Sequence, residues 1–297
     1  MVRGILILLF LLLCSVFTRS RILWGITLIF FFFILPFFDV KTCNDKNARK
    51  GPNELKDEEE RRRKETERSE QFERCCKSAE QGDATAQCVL GAMYADGYGV
   101  AQDDVTAVEW YRKSAEQGDA TAQCVLGTMY AVGRGVAQDD VTAVEWYRKS
   151  AEQGNAVAQC FLGAMYADGR GVAKDEAAAV EWYRKAAEQG CAPAQYNLGV
   201  MYADGRGVAK DETAAVEWYR KSAEQGDAPA QYNLGVAYMN GRGVAKDEAV
   251  AIEWFRKSAE QGNAPAQYNL GVVYMNGYGV AKDEAAAVEW YRKAAEQ

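Results

Sequence analysis

The sequence predicts an all-α solenoid of stacked antiparallel helix pairs, and three observations carry that prediction. Trp110, Trp146, Trp182, Trp218, Trp254 and Trp290 recur every 36 residues, each inside Glu-Trp-Tyr/Phe-Arg-Lys. Each 36-residue unit holds two stretches of helical apolar periodicity, and aspartate and glycine punctuate those stretches at the same places in every unit with few exceptions. A fixed period of this length means one supersecondary unit copied in series, each copy burying its apolar face on its neighbours. Function is then expected in an extended surface and not in one catalytic pocket.

Taken in order, the chain begins with residues 1–38, which are almost wholly apolar. Gly4 to Phe17 is a run of 14 residues behind Arg3, and after Thr18-Arg19-Ser20-Arg21 a second run of 17 extends from Ile22 to Phe38. A bilayer core needs about 20 apolar residues, so the first run is too short to span and the second is marginal. Residues 1–38 are read as a membrane anchor or signal-anchor, because no small-x-small cleavage site stands out and Phe30 to Phe33 followed by Pro36 resembles a span. A cleaved signal peptide with secretion is the alternative. Arg3, Arg19 and Arg21 on one flank face Lys41, Lys46, Arg49 and Lys50 on the other, so the positive-inside rule does not choose a side.

Residues 39–70 form a polar linker or stalk. Asp57 with Arg61, Glu58 with Arg62, Glu59 with Arg63 and Glu60 with Lys64 are acid-before-base pairs four apart, each worth about 0.2–0.5 kcal/mol in a helix. A disordered charged linker is the competing reading. Residues 71–82 read as a degenerate capping helix, with Arg74 and Cys75 where later copies have Trp-Tyr.

From residue 83 to residue 297 the copies are 83–118, 119–154, 155–190, 191–226, 227–262 and 263–297. In the first, Asp83 is an N-cap, Gly97 and Gly99 permit the positive φ that ends a helix, Asp103 caps a second helix, and Gly118 stops it. Ala86, Leu90 and Tyr94 form one stripe of the first helix, where Gly91 admits a close approach of the partner backbone. Val108, Tyr111 and Ala115 form one stripe of the second helix, and Ala107 and Trp110 open another. A helix that is apolar on two sides can pack on its own partner and on the next copy, and the six tryptophans are assigned that structural role.

The string Ala-x-x-x-Leu-Gly-x-x-Tyr, then Gly-x-Gly-Val, then Asp, then Ala-x-x-Trp-Tyr-x-Lys-Ala-Ala-x-x-Gly resembles the Sel-one-like repeat (SLR), a relative of the tetratricopeptide repeat. The likeness covers residues 83–297. It implies a right-handed superhelix, and a superhelical adaptor that assembles complexes and in several cases is membrane-anchored. A cysteine-rich branch of the family staples the two helices of each repeat with a disulfide; this chain lacks the second cysteine, so hydrolase activity of that branch is the most remote expectation.

Composition narrows the function further. Residues 83–297 carry a net charge of −10, against +3 for residues 1–38 and zero for residues 39–82, so this surface repels nucleic acid. There is no histidine, which removes the usual general base near neutral pH, and the eight cysteines make no Cys-x-x-Cys pair. No cofactor or metal is expected. Glutamates such as Glu109 and Glu116 are copied in all six units, which marks them as scaffold, and no catalytic residue is assigned. Cys88, Cys124 and Cys160 hold one place in successive copies; stacked helices lie about 10 Å apart and a disulfide needs Cα atoms within about 7 Å, so these three are not expected to bond one another. Cys191 replaces the capping Asp or Asn of every other copy.

Recognition is expected where the copies differ. The first helix varies at the positions of Thr85, Val89, Ala92, Met93 and Asp96, within about 100° of one another. Copies one to three place Val89, Val125 and Phe161 there; copies four to six place Asn197, Asn233 and Asn269. The string Tyr-Asn-Leu-Gly is similar to the tetratricopeptide helix whose asparagine bonds an extended peptide backbone. These six residues are the expected partner-binding groove, an asparagine ladder beside an apolar half. The expected function is a non-catalytic, membrane-tethered scaffold for a protein or peptide partner, with self-association into a homo-oligomer as the alternative.

Overall fold

The computed structural model describes residues 52–296, so the expectations for residues 1–38 lie outside the described residues. The chain divides into two units, residues 1–67 and 68–297. Within the described part of the first, Glu58 pairs with Arg62 at 2.8 Å and Glu60 with Lys64 at 2.6 Å, as the spacing predicts. Arg63 turns instead to Glu67 at 2.9 Å, and the Arg61 guanidinium donates to the Asp57 carbonyl at 3.2 Å. Helix α1, Pro52–Glu80, runs unbroken through the described part of the expected stalk and into the expected capping helix; residues 39–51 of that stalk lie outside the described residues. No glycine, proline or capping residue separates the two segments, so nothing stops the helix where the composition changes. Among the described residues no helix is long and apolar enough to cross a membrane.

Six helix pairs follow: α2 Ala84–Asp96 with α3 Asp104–Glu116, α4 Ala120–Val132 with α5 Asp140–Glu152, α6 Ala156–Asp168 with α7 Glu176–Glu188, α8 Ala192–Asp204 with α9 Glu212–Glu224, α10 Ala228–Asn240 with α11 Glu248–Glu260, and α12 Ala264–Asn276 with α13 Glu284–Ala295. Asp83 opens α2 by accepting from the Ala86 amide at 2.7 Å, and Asp103 opens α3 by accepting from Val105 and Thr106. Gly97 ends α2 at φ 69°. Past α3, Gly118 sits at φ 98°, its N–H reaching the Ala115 carbonyl while the Asp119 N–H reaches Ser114; these two bonds form a Schellman stop.

The second glycine of each turn has a tertiary role. A Cβ at Gly135 or Gly171 would collide with the backbone carbonyl of Asp104 or Asp140, at the start of the preceding copy's second helix. Each turn therefore lies directly on its neighbour. The core repeats in the same rhythm: Leu90, Leu126, Leu162, Leu198, Leu234 and Leu270 are all buried, and α3, α5, α7, α9 and α11 bury their Ala-Val/Ile pair and aromatic between two first helices, whereas in α13 Ala287 is buried and Val288 is 60% exposed. Gly91 meets the ring of Tyr111, where a Cβ would lie 2.9 Å away, and at the equivalent Gly127, Gly199 and Gly235 a backbone carbonyl of the partner helix also comes within 3.1–3.2 Å of that place.

Candidate partner-binding groove

The first helices carry the surface that varies, and the structure places most of the expected residues on it. Three shallow recesses lie along this face. One of about 390 Å³ is lined by Tyr196, Val200 and Asp204 of copy four with Asn233 and Val236 of copy five. A second of about 300 Å³ joins Tyr232, Met239 and Phe255 to Asn269. A third of about 280 Å³ is formed by Arg68 with Val89, Ala92, Asp96 and Tyr98.

Val89 is 45% exposed and Phe161 39%, with the Phe161 ring 5.3 Å from Tyr147. Val125 is half-buried against the core shared by copies one and two. Asn197, Asn233 and Asn269 are all half-buried. They differ in what they touch. Asn233 shares a recess with Tyr196 and Tyr219, whereas Asn269 shares one with Phe255, which has no hydroxyl. Asn197 and Asn269 make no side-chain hydrogen bond among the described residues.

Met93 was placed on the variable face by its angle, and the structure moves it inside. It is 4% exposed, as is Met129, and Ala237 and Val273 at the same place are 6% and 2% exposed. Variation there is exchange of volume in the core. The 100° window was wide enough to overlap the buried stripe, which angle alone does not resolve.

Each tryptophan is half-buried at the junction with the preceding copy: Trp146 against Ala95, Ala107 and Leu126, and Trp182 against the equivalent cluster one copy on. Its outer face is covered by the lysine three residues later, Lys113 over Trp110 at 3.8 Å and Lys149 over Trp146 at 4.0 Å.

Two sets of junction residues escaped the sequence reading. Gln87, Gln123, Gln159, Gln195, Gln231 and Gln267 are buried polar residues. The Gln123 amide donates to the Ala115 carbonyl of the preceding copy at 3.0 Å and its oxygen accepts from Gln153 at 2.7 Å, a pattern repeated along the stack. Arg112 reaches the Tyr130 hydroxyl at 2.7 Å and Arg148 the Tyr166 hydroxyl at 3.0 Å, tying each second helix to the next first helix. The signal was present: a glutamine three residues before an invariant buried leucine lies on the same side of the helix.

A stack of helix pairs with a largely repeated core and a row of recesses on the varied face of its first helices is a repeat solenoid. The chain belongs to the Sel1 repeat family, which matches residues 84–119, 120–155, 156–191, 192–227, 228–263 and 264–297. Its fold is similar to that of a protective antigen present in uropathogenic Escherichia coli strains, described as displaying an SLR fold: 45% identity and a TM-score of 0.71 over 75% of this chain and 48% of that one. This chain thus spans about half the length of that antigen. A Sel1 repeat protein from Oxalobacter formigenes is 39% identical, with a TM-score of 0.67 over 72% of this chain and 86% of that one. No curated protein matches the chain. Sel1 repeats form helical solenoids that generally mediate protein–protein contact.

Proposed function

We propose that this protein is a non-catalytic adaptor that binds an extended segment of a protein partner along its first-helix face and is tethered to a membrane through residues 1–38. The observation that carries the reading is where the copies differ. Leucine, glutamine and alanine of the core barely change, while Val89, Asn233 and Asn269 change beside recesses open to solvent. An asparagine side chain offers both a donor and an acceptor, which suits a backbone amide. Asn197, Asn233 and Asn269 supply that pair, Asn233 beside the tyrosines that share its recess. Val89 and Phe161 favour an apolar stretch of the same segment, and a right-handed superhelix would set the recesses along one concave side.

The test is photo-crosslinking in cells with the full-length chain. A crosslinker at position 161 or 269 is expected to capture a defined partner, and one at exposed Glu145 on a second helix to capture none. Replacing Asn197, Asn233 and Asn269 together by alanine should reduce that capture at least about tenfold, the loss expected for two backbone hydrogen bonds of about 0.7 kcal/mol each. Unchanged capture by the triple variant would sink the groove assignment. The tether rests on the two apolar runs, and alkaline extraction checks it: the full chain should stay with the membrane pellet and a chain lacking residues 1–38 should not.

A further inference from the structure

Every junction between copies brings a fixed pair of positions together, one on a first helix and one at the N-cap of the next first helix. At four of the five junctions the pairs are Cys88 with Asp119, Cys124 with Asn155, Tyr196 with Asp227 and Tyr232 with Asn263. At the junction of copies three and four both positions carry sulfur: Cys160 on α6 and Cys191 ahead of α8. Cys191 packs against the core cluster that contains Cys160, which brings the two thiols close enough to influence one another. Exposure separates them. Cys160 is 8% exposed, whereas Cys191 is half-buried and reachable from solvent.

We infer that Cys160 and Cys191 are a reversible dithiol–disulfide pair, a redox clasp that ties copy three to copy four. The oxidant class is a small glutathione-type disulfide, RSSR. The Cys191 thiolate attacks one sulfur of RSSR, whose S–S bond breaks, giving a Cys191–SR mixed disulfide and an RS⁻ that takes up a proton. Cys160 then gives up its proton, attacks Cys191 Sγ and expels the second RS⁻, which is protonated in turn. Two cysteine thiols lose two electrons and one RSSR becomes two RSH.

The roles follow from the surroundings. The neighbouring Cys160 thiol and the Ala194 amide in the first turn of α8 favour the Cys191 thiolate and lower its pKa to about 6 against the cost of burial. The same contact and burial push Cys160 up. The accessible sulfur is thus the nucleophile near neutral pH, and the buried one resolves. Neither Cys88 nor Cys124 has this arrangement: burial raises Cys124 to about 11, and burial together with the Asp119 carboxylate raises Cys88 to about 11. The clasp lies between Phe161 and Asn197, at the seam of the apolar and amide halves of the proposed groove, although its chemistry does not depend on that proposal.

The experiment equilibrates the full-length chain in detergent with glutathione redox buffers, quenches with acid, alkylates free thiols and maps them by mass spectrometry. A peptide pair linked through Cys160 and Cys191 is expected, with Cys88 and Cys124 still alkylated. Cys160→Ala should trap Cys191 as its glutathione adduct, and Cys191→Asn, which installs the residue found at position 155, should leave Cys160 alkylated. Oxidation should also raise the thermal midpoint of the unmodified chain and leave that of Cys191→Asn unchanged. The inference is overturned if Cys160 and Cys191 stay alkylated where Cys76 takes glutathione, if another pair crosslinks in their place, or if oxidation leaves the midpoint where it was.

Discussion

Cys191 stands where five counterparts cap a first helix with a side-chain oxygen, Asp119 at 2.7 Å and Asn155 at 2.9 Å among them, and it makes no such cap bond. Under reducing conditions Cys191→Asn should therefore stabilise the fold by about 1 kcal/mol, read from urea unfolding; no gain would mean that the thiol already satisfies those amides. Asp227 occupies the same place one copy on, and burial raises its pKa. A carboxyl raised on folding contributes most below its unfolded value and loses that contribution as pH climbs through the folded one. Asp227→Asn should accordingly be neutral or stabilising at pH 7 and lose its advantage near pH 4. Gly171 is held at φ 65° with its open side on the Asp140 carbonyl, so Gly171→Ala should cost at least about 2 kcal/mol, from the left-handed backbone and the clash together.

Helix limits were the easiest part of the sequence to read, because caps and stops act within four residues of the turn they govern. The stalk was harder: its described part, residues 52–70, differs in composition from residues 71–82, yet α1 passes from one into the other without a break. Polar contacts between elements were not legible. Gln159 donates to the Ala151 carbonyl and accepts from Gln189 across a junction. Gln159→Leu removes both bonds at once and should cost about 2 kcal/mol, roughly 1 for each. Ser150 donates to the Ala120 carbonyl at 2.6 Å, yet copy three has Ala186 at that place; Ser150→Ala should cost about 1 kcal/mol or less. If the two substitutions proved equal in a urea titration, the glutamine ladder would have no special weight.

At the scale of the whole solenoid, each copy contacts only its neighbours, so stability sums over junctions. Copies one and two differ only at Ala92/Thr128, Asp96/Val132 and Tyr98/Arg134. Deleting residues 119–154 joins Gly118 to Asn155 and sets Cys88 against Asn155, the pairing that Cys124 already makes. The shortened chain should keep its helical signal per residue and melt a few degrees lower, and a collapse of that signal in circular dichroism would show that copy two is not exchangeable. Deleting residues 155–190 should be tolerated no better by the fold, but it removes Phe161 and Cys160 and with them any redox response.

By itself the sequence determined the number of copies, the limits of their helices, the buried leucine and alanine stripes and the family, because a repeat prints its own periodicity and the contacts that make a helix span three or four residues. Tertiary structure alone decided that Met93 is core, that a tyrosine ring lies over Gly91, that Asn233 shares a recess with Tyr196 and Tyr219, and that Cys191 packs against the cluster containing Cys160. Those contacts join residues about a full copy apart or across a helix pair. Period aligns such positions in space, but which way each side chain turns depends on how closely one pair stacks on the next, and that distance is set by the packing of the folded chain.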